Sequence, residues 1–142
     1  MRYWDASALV PLVVEESRTD ELRALLSQES HVVTWAWSWV EVASAVERRT
    51  RDGQLSRRQR RGTLDRFTEL ADACDEVTDV MAVRGQALSL LGRHPLRAAD
   101  AGQLGAALLV AQGGTGLPFV CLDTRLAEAA EREGLRPIPD LD

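Results

Sequence analysis

The stretch 118-PFVCLDTRLAEAAEREG-134 decides the fold, because its hydrophobic pattern changes from strand-like to helical at a single aspartate. Residues 118–123 form a short apolar run that ends at Asp123, as expected for a buried strand. Residues 124–134 then follow an amphipathic helical pattern and end at Gly134, a residue type that often terminates helices. The stretch therefore predicts a strand followed directly by a helix, with an acid at the junction.

The same order of strand and helix recurs along the chain. Strands are predicted over residues 2–6, 31–35, 74–78, 118–123 and 135–139. Helices are predicted over residues 7–16, 18–29, 36–51, 56–72, 79–92, 98–112 and 124–134. Short apolar strands that alternate with helices predict an α/β fold with a central parallel sheet between two helical layers. No linker or repeat interrupts the pattern, so residues 1–142 are expected to form a single domain.

The composition is that of an ordinary globular protein, with 45% hydrophobic and 27% charged residues among 142. No run of 18 apolar residues exists, so no membrane span is expected. The first residues lack the features of a signal peptide, and we expect a cytoplasmic protein. The two cysteines (Cys74, Cys121) and two histidines (His31, His94) are far apart in sequence, which argues against a structural zinc site or a disulfide.

Three aspartates occupy comparable places in the predicted fold. Asp5 and Asp123 end strands, and Asp100 lies in the first turn of a helix. Ligands of open parallel sheets bind beyond the carboxyl ends of the strands, so the three acids could share one crevice. Taken alone, each aspartate could also serve only as a helix cap.

Glu41 does not fit the capping explanation. In 37-WSWVEVASAV-46 it lies inside a predicted helix, and it is the sole charged residue between Val32 and Val46. If it points into the same crevice, four carboxylates meet there, and two such charges about 4 Å apart repel by roughly 4 kcal/mol at an effective dielectric near 20. All 17 basic residues are arginine, so no lysine can neutralise them. A hard divalent cation with oxygen ligands, Mg²⁺ or Mn²⁺, would neutralise these carboxylates.

The four acids lie in the segments 4-WDASALV-10, 40-VEVASAVERR-49, 97-RAADAGQLGAAL-108 and 120-VCLDTRLAEAAEREGL-135. Together these segments resemble the PIN-domain family, and most of all its VapC-type toxins from bacterial toxin–antitoxin pairs. The resemblance implies a PIN-like three-layer α/β/α fold and a Mg²⁺-dependent ribonuclease, which a small cognate antitoxin blocks. Ala6 stands where the family often has threonine, and Gly102 and Gly105 stand where it usually has larger apolar residues.

The family's site residues correspond to Asp5, Glu41, Asp100 and Asp123, and its small hydroxyl residue to Ser7. We expect Asp5 and Asp100 to bind the metal directly, and Glu41 and Asp123 to reach it directly or through its waters. Ser7 would hydrogen-bond a site carboxylate or a water, or alternatively cap a helix.

Several roles stay open at the level of sequence. The segment from Arg48 to Arg61 contains seven arginines, which could hold RNA phosphates or antitoxin acids, or could form a solvated helix pair. The three tryptophans at positions 35, 37 and 39 could stack bases, build the core, or form an antitoxin or homodimer interface. The alternative to a nuclease is a catalytically silent PIN scaffold that binds RNA or protein.

Overall fold

The computed structural model describes residues 1–29 and 31–140. The five strands of this part of the chain are β1 (Arg2–Trp4), β2 (Val32–Trp35), β3 (Asp75–Val77), β4 (Pro118–Val120) and β5 (Arg136–Ile138). Its seven helices are α1 (Ala6–Val13), α2 (Thr19–Ser27), α3 (Ser38–Arg51), α4 (Arg57–Ala73), α5 (Val80–Leu91), α6 (Ala98–Ala111) and α7 (Thr124–Arg132).

The strands form one parallel sheet in the order β3-β2-β1-β4-β5. β1 lies at its centre, where Tyr3 is in register with Val33 of β2 and with Phe119 of β4. From β1 the chain builds outward through β2 and β3, and then returns to place β4 on the other side of β1. The strand order therefore reverses between β1 and β4, which makes their carboxyl ends the expected ligand crevice.

Side chains of adjacent residues in a strand pack into two separate hydrophobic cores, one on each side of the sheet, because side chains alternate between the faces of a sheet. Tyr3 and Phe119 enter one core, where their rings stack with centroids 5.5 Å apart. Trp4 and Val120 enter the other core. Helices α1 to α4 cover the second face and α5 to α7 cover the first, which gives the three-layer α/β/α fold predicted from the sequence.

All twelve predicted elements are present in the described residues, with differences only at their ends. β1 ends at Trp4 because Asp5 already serves as the N-cap of α1, and α1 ends at Val13 because Val14 adopts an extended conformation. Gly134, predicted to stop α7, has a φ of +91°, which a residue with a side chain rarely adopts. No helix in the described part of the chain is long and apolar enough to cross a membrane.

Gly105 allows α5 and α6 to approach each other closely. A Cβ atom at this position would lie 3.2 Å from both the carbonyl oxygen of Val83 and the Cβ of Gln86. The departure from the larger residue usual in the family therefore has a packing reason, and α6 continues unbroken through it.

Candidate active site

Asp5 lies at the point where the strand order reverses, directly after β1. Its backbone N–H donates to the carbonyl of Val120 at the end of β4, over 2.9 Å. Asp123 follows the same strand, β4, three residues later and is the N-cap of α7, accepting from the N–H of Leu126 at 3.0 Å. The crevice between β1 and β4 thus has one acid on each strand that borders it.

Ser7 connects the two borders of the crevice. Its hydroxyl donates to the Asp5 carboxylate and accepts from the backbone N–H of Leu122, over 2.9 Å. The Asp5 carboxylate is also the helix cap, since it accepts from the Ser7 backbone N–H at 3.1 Å. Ser7 thus hydrogen-bonds the Asp5 carboxylate, and the cap of α1 is supplied by Asp5 and not by Ser7.

Glu41 is half-buried and has a neutral partner. It lies in the first turn of α3, nearer the start of the helix than predicted, because α3 begins at Ser38 and not at Ala36, so the helix dipole also favours an acid there. Its carboxylate accepts from the side-chain Nε2 of Gln103, which α6 brings from 62 positions further along the chain. No arginine or histidine of the described residues lies within 4 Å of this carboxylate. The acid in the apolar stretch is therefore hydrogen-bonded and not ion-paired.

Asp100 lies one turn before Gln103 on α6, and two arginines approach it. Arg97 and Arg125 are exposed and line, together with Asp100, Asp123 and Thr124, a cavity of about 300 Å³ between the starts of α6 and α7. Neither guanidinium is within 4 Å of a carboxylate in the described residues.

Burial raises the pKa values of Asp5, Glu41 and Asp100, and the charges of neighbouring acids raise them further. Burial raises the pKa of Asp5 to about 6, and the charge of Asp100 adds to the shift. Burial also raises the pKa of Glu41 to about 7, with contributions from the charges of Asp5 and Asp100. The pKa of Asp100 is raised first by burial and then by Asp123, and the nearby arginines Arg97 and Arg125 offset this only in part.

We call Glu41, Asp5, Asp100 and Asp123 the acid row, in the order in which their charges act on one another. Glu41 interacts with Asp5 and Asp100, and Asp100 in turn interacts with Asp123. Within residues 1–29 and 31–140, no three His, Cys, Asp or Glu side chains already form a compact metal-binding group. The donor set still fits a hard divalent cation, because it consists of carboxylate oxygens whose mutual repulsion no protein cation removes.

The structure separates the three tryptophans. Trp39 is buried and packs edge-on against Phe67, with ring centroids 5.5 Å apart. Trp35 is half-buried against the core and faces Gly102. Trp37 is 61% exposed and is the sole exposed aromatic residue of the described chain. It precedes α3 on the carboxyl side of β2, four residues before Glu41, at the same edge of the sheet as the acids.

The arginine-rich segment lies away from the acids. It spans the end of α3 and the start of α4, and the rise from Glu41 to Arg51 along α3 is about 15 Å. Arg49 pairs with Glu16, and Arg60 pairs with Glu47 at 2.6 Å. The remaining arginines of the segment have no acid within 4 Å in the described residues and are exposed; they are Arg48, Arg51, Arg57, Arg58 and Arg61.

Three residues of the site were missed from the sequence. Gln103 had a signal, because it is the only polar residue of α6 besides Asp100 and lies three positions after it, on the same helical face. Arg97 and Arg125 had none, since arginines beside aspartates are common and only the packing of α6 against α7 brings this pair to one cavity.

A parallel α/β/α sheet with a row of carboxylates at its switch point defines a class of protein that binds ligands through acids at the strand ends. The match to a family model makes this specific: the PIN domain model covers residues 2–132, and the chain belongs to the PIN domain family. PIN domains are typically metal-dependent nucleases acting on nucleic acids, so membership indicates a nuclease in general. No curated protein matches the chain significantly.

Proposed function

We propose that this protein is a Mg²⁺-dependent endoribonuclease of the VapC type, the toxin of a toxin–antitoxin pair, acting in the cytoplasm. The observation that carries the proposal is the row of four acids at the β1–β4 switch point. Burial, with the charges within this row adding to it, keeps the pKa values of Asp5, Glu41 and Asp100 raised. A protein that binds nothing there would gain stability by replacing Asp5, Glu41 or Asp100 with its neutral amide, so a cation is the simplest reason for these acids.

Each site residue has a separate part in this proposal. Asp5 and Asp100 hold the cation directly, and Glu41 and Asp123 reach it directly or through water. The bound cation supplies a water of lowered pKa and offsets the charge that develops on the phosphodiester. Ser7 keeps the Asp5 carboxylate at the border of the crevice by donating to it, and its own position is fixed by the N–H of Leu122.

Arg97 and Arg125 support RNA as the substrate. They are exposed guanidinium groups in the cavity that also contains Asp100 and Asp123, and the planar donor pattern of a guanidinium suits phosphate oxygens. We propose that they hold a phosphate next to the one that is cleaved, at the Asp123 end of the row. Trp37, beyond the Glu41 end, is exposed and available to stack an RNA base.

The decisive experiment compares RNA cleavage by the wild-type protein in Mg²⁺ and in EDTA. We expect cleavage only with the metal, and none by the Glu41→Gln variant. Glu69→Gln serves as the matched control, because Glu69 is exposed on α4 and has no salt-bridge partner in the described residues. Equal cleavage by the wild-type protein and Glu41→Gln would contradict the proposed role of Glu41.

The alternative is a PIN scaffold that binds RNA or protein without cleaving. Binding of RNA by the wild-type protein in Mg²⁺, with no cleavage over a range of substrates, would favour it. The presence of all four acids argues for the nuclease, since a binding module has no use for a repulsive carboxylate row in contact with RNA phosphates.

The proposal also includes two protein partners. A cognate antitoxin would cover the site, and an adjacent small reading frame whose product co-purifies with this chain would test it. A homodimer is supported by the exposed apolar residues of α5, which are Val80, Met81, Leu88 and Leu91. Light scattering should give a dimer mass for the wild-type protein and a monomer mass for Leu88→Glu.

A further inference from the structure

Gln103 is the residue through which the fold controls the direction of the Glu41 side chain. It is 1% exposed, and its amide lies between the core and the acid row. We propose that Gln103 is a positioning residue: it holds one oxygen of Glu41 and thereby presents the other to the metal site. This inference rests on the proposed function, since it assigns Glu41 to that site.

The amide of Gln103 has a single possible orientation. Tyr3 is a buried hydroxyl donor, and its proton goes to Oε1 of Gln103 over 2.7 Å. An amide turned by 180° would place an N–H group against this donor and leave both unsatisfied, which is costly in a buried position. The Oε1 atom therefore faces Tyr3, and Nε2 faces Ser38 and Glu41.

The hydroxyl groups of Thr34 and Ser38 determine which acceptors remain for the two N–H groups of the Gln103 amide. Thr34 donates its only proton to the carbonyl of Trp4 at 2.7 Å. The hydroxyl of Ser38 accepts from Nε2 of Gln103, at 2.9 Å, and its own proton has two acceptors in reach, the Thr34 hydroxyl at 2.7 Å and Oε1 of Gln103 at 3.2 Å. One N–H of the amide is thus committed to Ser38, and the second is left for Glu41.

The chain of hydrogen bonds is rigid because each member belongs to a different element. Tyr3 lies on β1, Thr34 on β2, Ser38 at the start of α3 and Gln103 on α6. Each of these four side chains is at most 1% exposed, so water cannot substitute for a member. The network therefore fixes α6, which carries Asp100, relative to α3, which carries Glu41, and sets the spacing between two proposed ligands.

A neutral donor suits this task better than a cation would. The amide orients the carboxylate but leaves its negative charge, whereas an arginine would orient it and cancel the charge. Gln103 holds Oε2 of Glu41, which leaves Oε1 free for the site. Partners of metal ligands that act in this way are usually worth about 10- to 100-fold in metal affinity.

The test is a double-mutant cycle on Mn²⁺ affinity, measured by calorimetry and by the electron paramagnetic resonance of free Mn²⁺. Gln103→Leu should weaken Mn²⁺ binding by about 10- to 100-fold in the otherwise wild-type protein. In the Glu41→Gln background the same change should have no further effect, because the carboxylate that Gln103 orients is gone. A purely structural role for Gln103 would instead weaken binding by the same factor in both backgrounds and overturn the inference.

Tyr3→Phe gives a second test if Gln103→Leu does not fold. It removes the hydroxyl that sets the amide but keeps the ring stacked on Phe119, so we expect a folded protein with weaker Mn²⁺ binding. Unchanged affinity in a folded Gln103→Leu or in Tyr3→Phe would overturn the positioning role alone. A wild-type protein that takes up no Mn²⁺ would overturn the proposed function, and the inference with it.

Discussion

Replacing Asp5 by asparagine should make the metal-free protein more stable. The Asp5 carboxyl is 4% exposed, and burial raises its pKa from 3.8 to about 6. A shift of about 2 units corresponds to roughly 3 kcal/mol of unfavourable free energy for the charged form at neutral pH. Asparagine caps helices as well as aspartate does, so the cap on Ser7 N–H survives the change. We therefore expect a gain of about 2 to 3 kcal/mol in the free energy of unfolding at pH 7.5 in EDTA.

Magnesium should cancel this difference in stability. A ligand at about 100 times its dissociation constant adds about 2.7 kcal/mol to the stability of a protein that binds it only when folded. The wild-type protein should gain this amount in Mg²⁺, and Asp5→Asn should gain almost nothing, so the two stabilities converge. Urea unfolding followed by circular dichroism, in EDTA and in Mg²⁺, measures both effects. Asp72→Asn, an exposed aspartate on α4, is the control and should change stability by less than about 0.5 kcal/mol in either buffer.

The pH dependence of the stability difference is an independent test of the same prediction. Because the raised pKa means that the folded state binds the proton more tightly, the contribution of Asp5 is favourable below about pH 4 and is lost as the pH rises through about 6. The advantage of metal-free Asp5→Asn over the wild-type protein should therefore vanish at pH 4. A metal-free Asp5→Asn protein that is less stable than wild type at pH 7.5 would refute the reasoning and leave Asp5 as a structural cap.

Three further predictions follow from the site. Mn²⁺ affinity should rise between pH 6 and 8, because the raised pKa values of Asp5 (about 6) and Glu41 (about 7) keep these ligands partly protonated at the lower pH. A Mn²⁺ affinity that calorimetry finds to be constant over this range would contradict the raised pKa values. Arg125→Ala should raise KM for RNA and lower the slope of log affinity against log salt by about 0.7, while Arg132→Ala, an exposed arginine at the other end of α7, should leave both unchanged. Trp37→Ala should weaken binding of single-stranded RNA by about 1 to 3 kcal/mol in anisotropy titrations, and Trp37→Phe should retain most of it; equal loss in both variants would argue against stacking.

The fold could be predicted from the sequence because its signals are local. The change of periodicity at Asp123 and the turn at Asp52 and Gly53 each mark an element boundary without reference to the rest of the chain. The ends of the elements were harder to predict. Whether Asp5 extends β1 or caps α1 depends on its hydrogen bond to Val120, more than a hundred residues away.

The side chains of the site were harder to predict, because their roles depend on contacts between distant segments. Trp35, Trp37 and Trp39 look equivalent in sequence, yet β2 ends at the first and α3 begins before the third. Each tryptophan therefore points into a different environment. The arginines show the same limit, since the dense segment after Arg48 lies away from the acids, while two isolated arginines line the cavity beside Asp100.

The partners of the acids explain how the chain keeps a repulsive site folded and still able to bind a cation. Asp5 and Glu41 are each held by neutral donors, Ser7 and Gln103, which orient a carboxylate without removing its charge. Arginines could have stabilised the metal-free protein more, but a cation would then have to displace them and would lose most of the electrostatic attraction. Because the neutral donors leave the repulsion in place, the free energy lost in the metal-free state becomes available as binding energy when the cation enters.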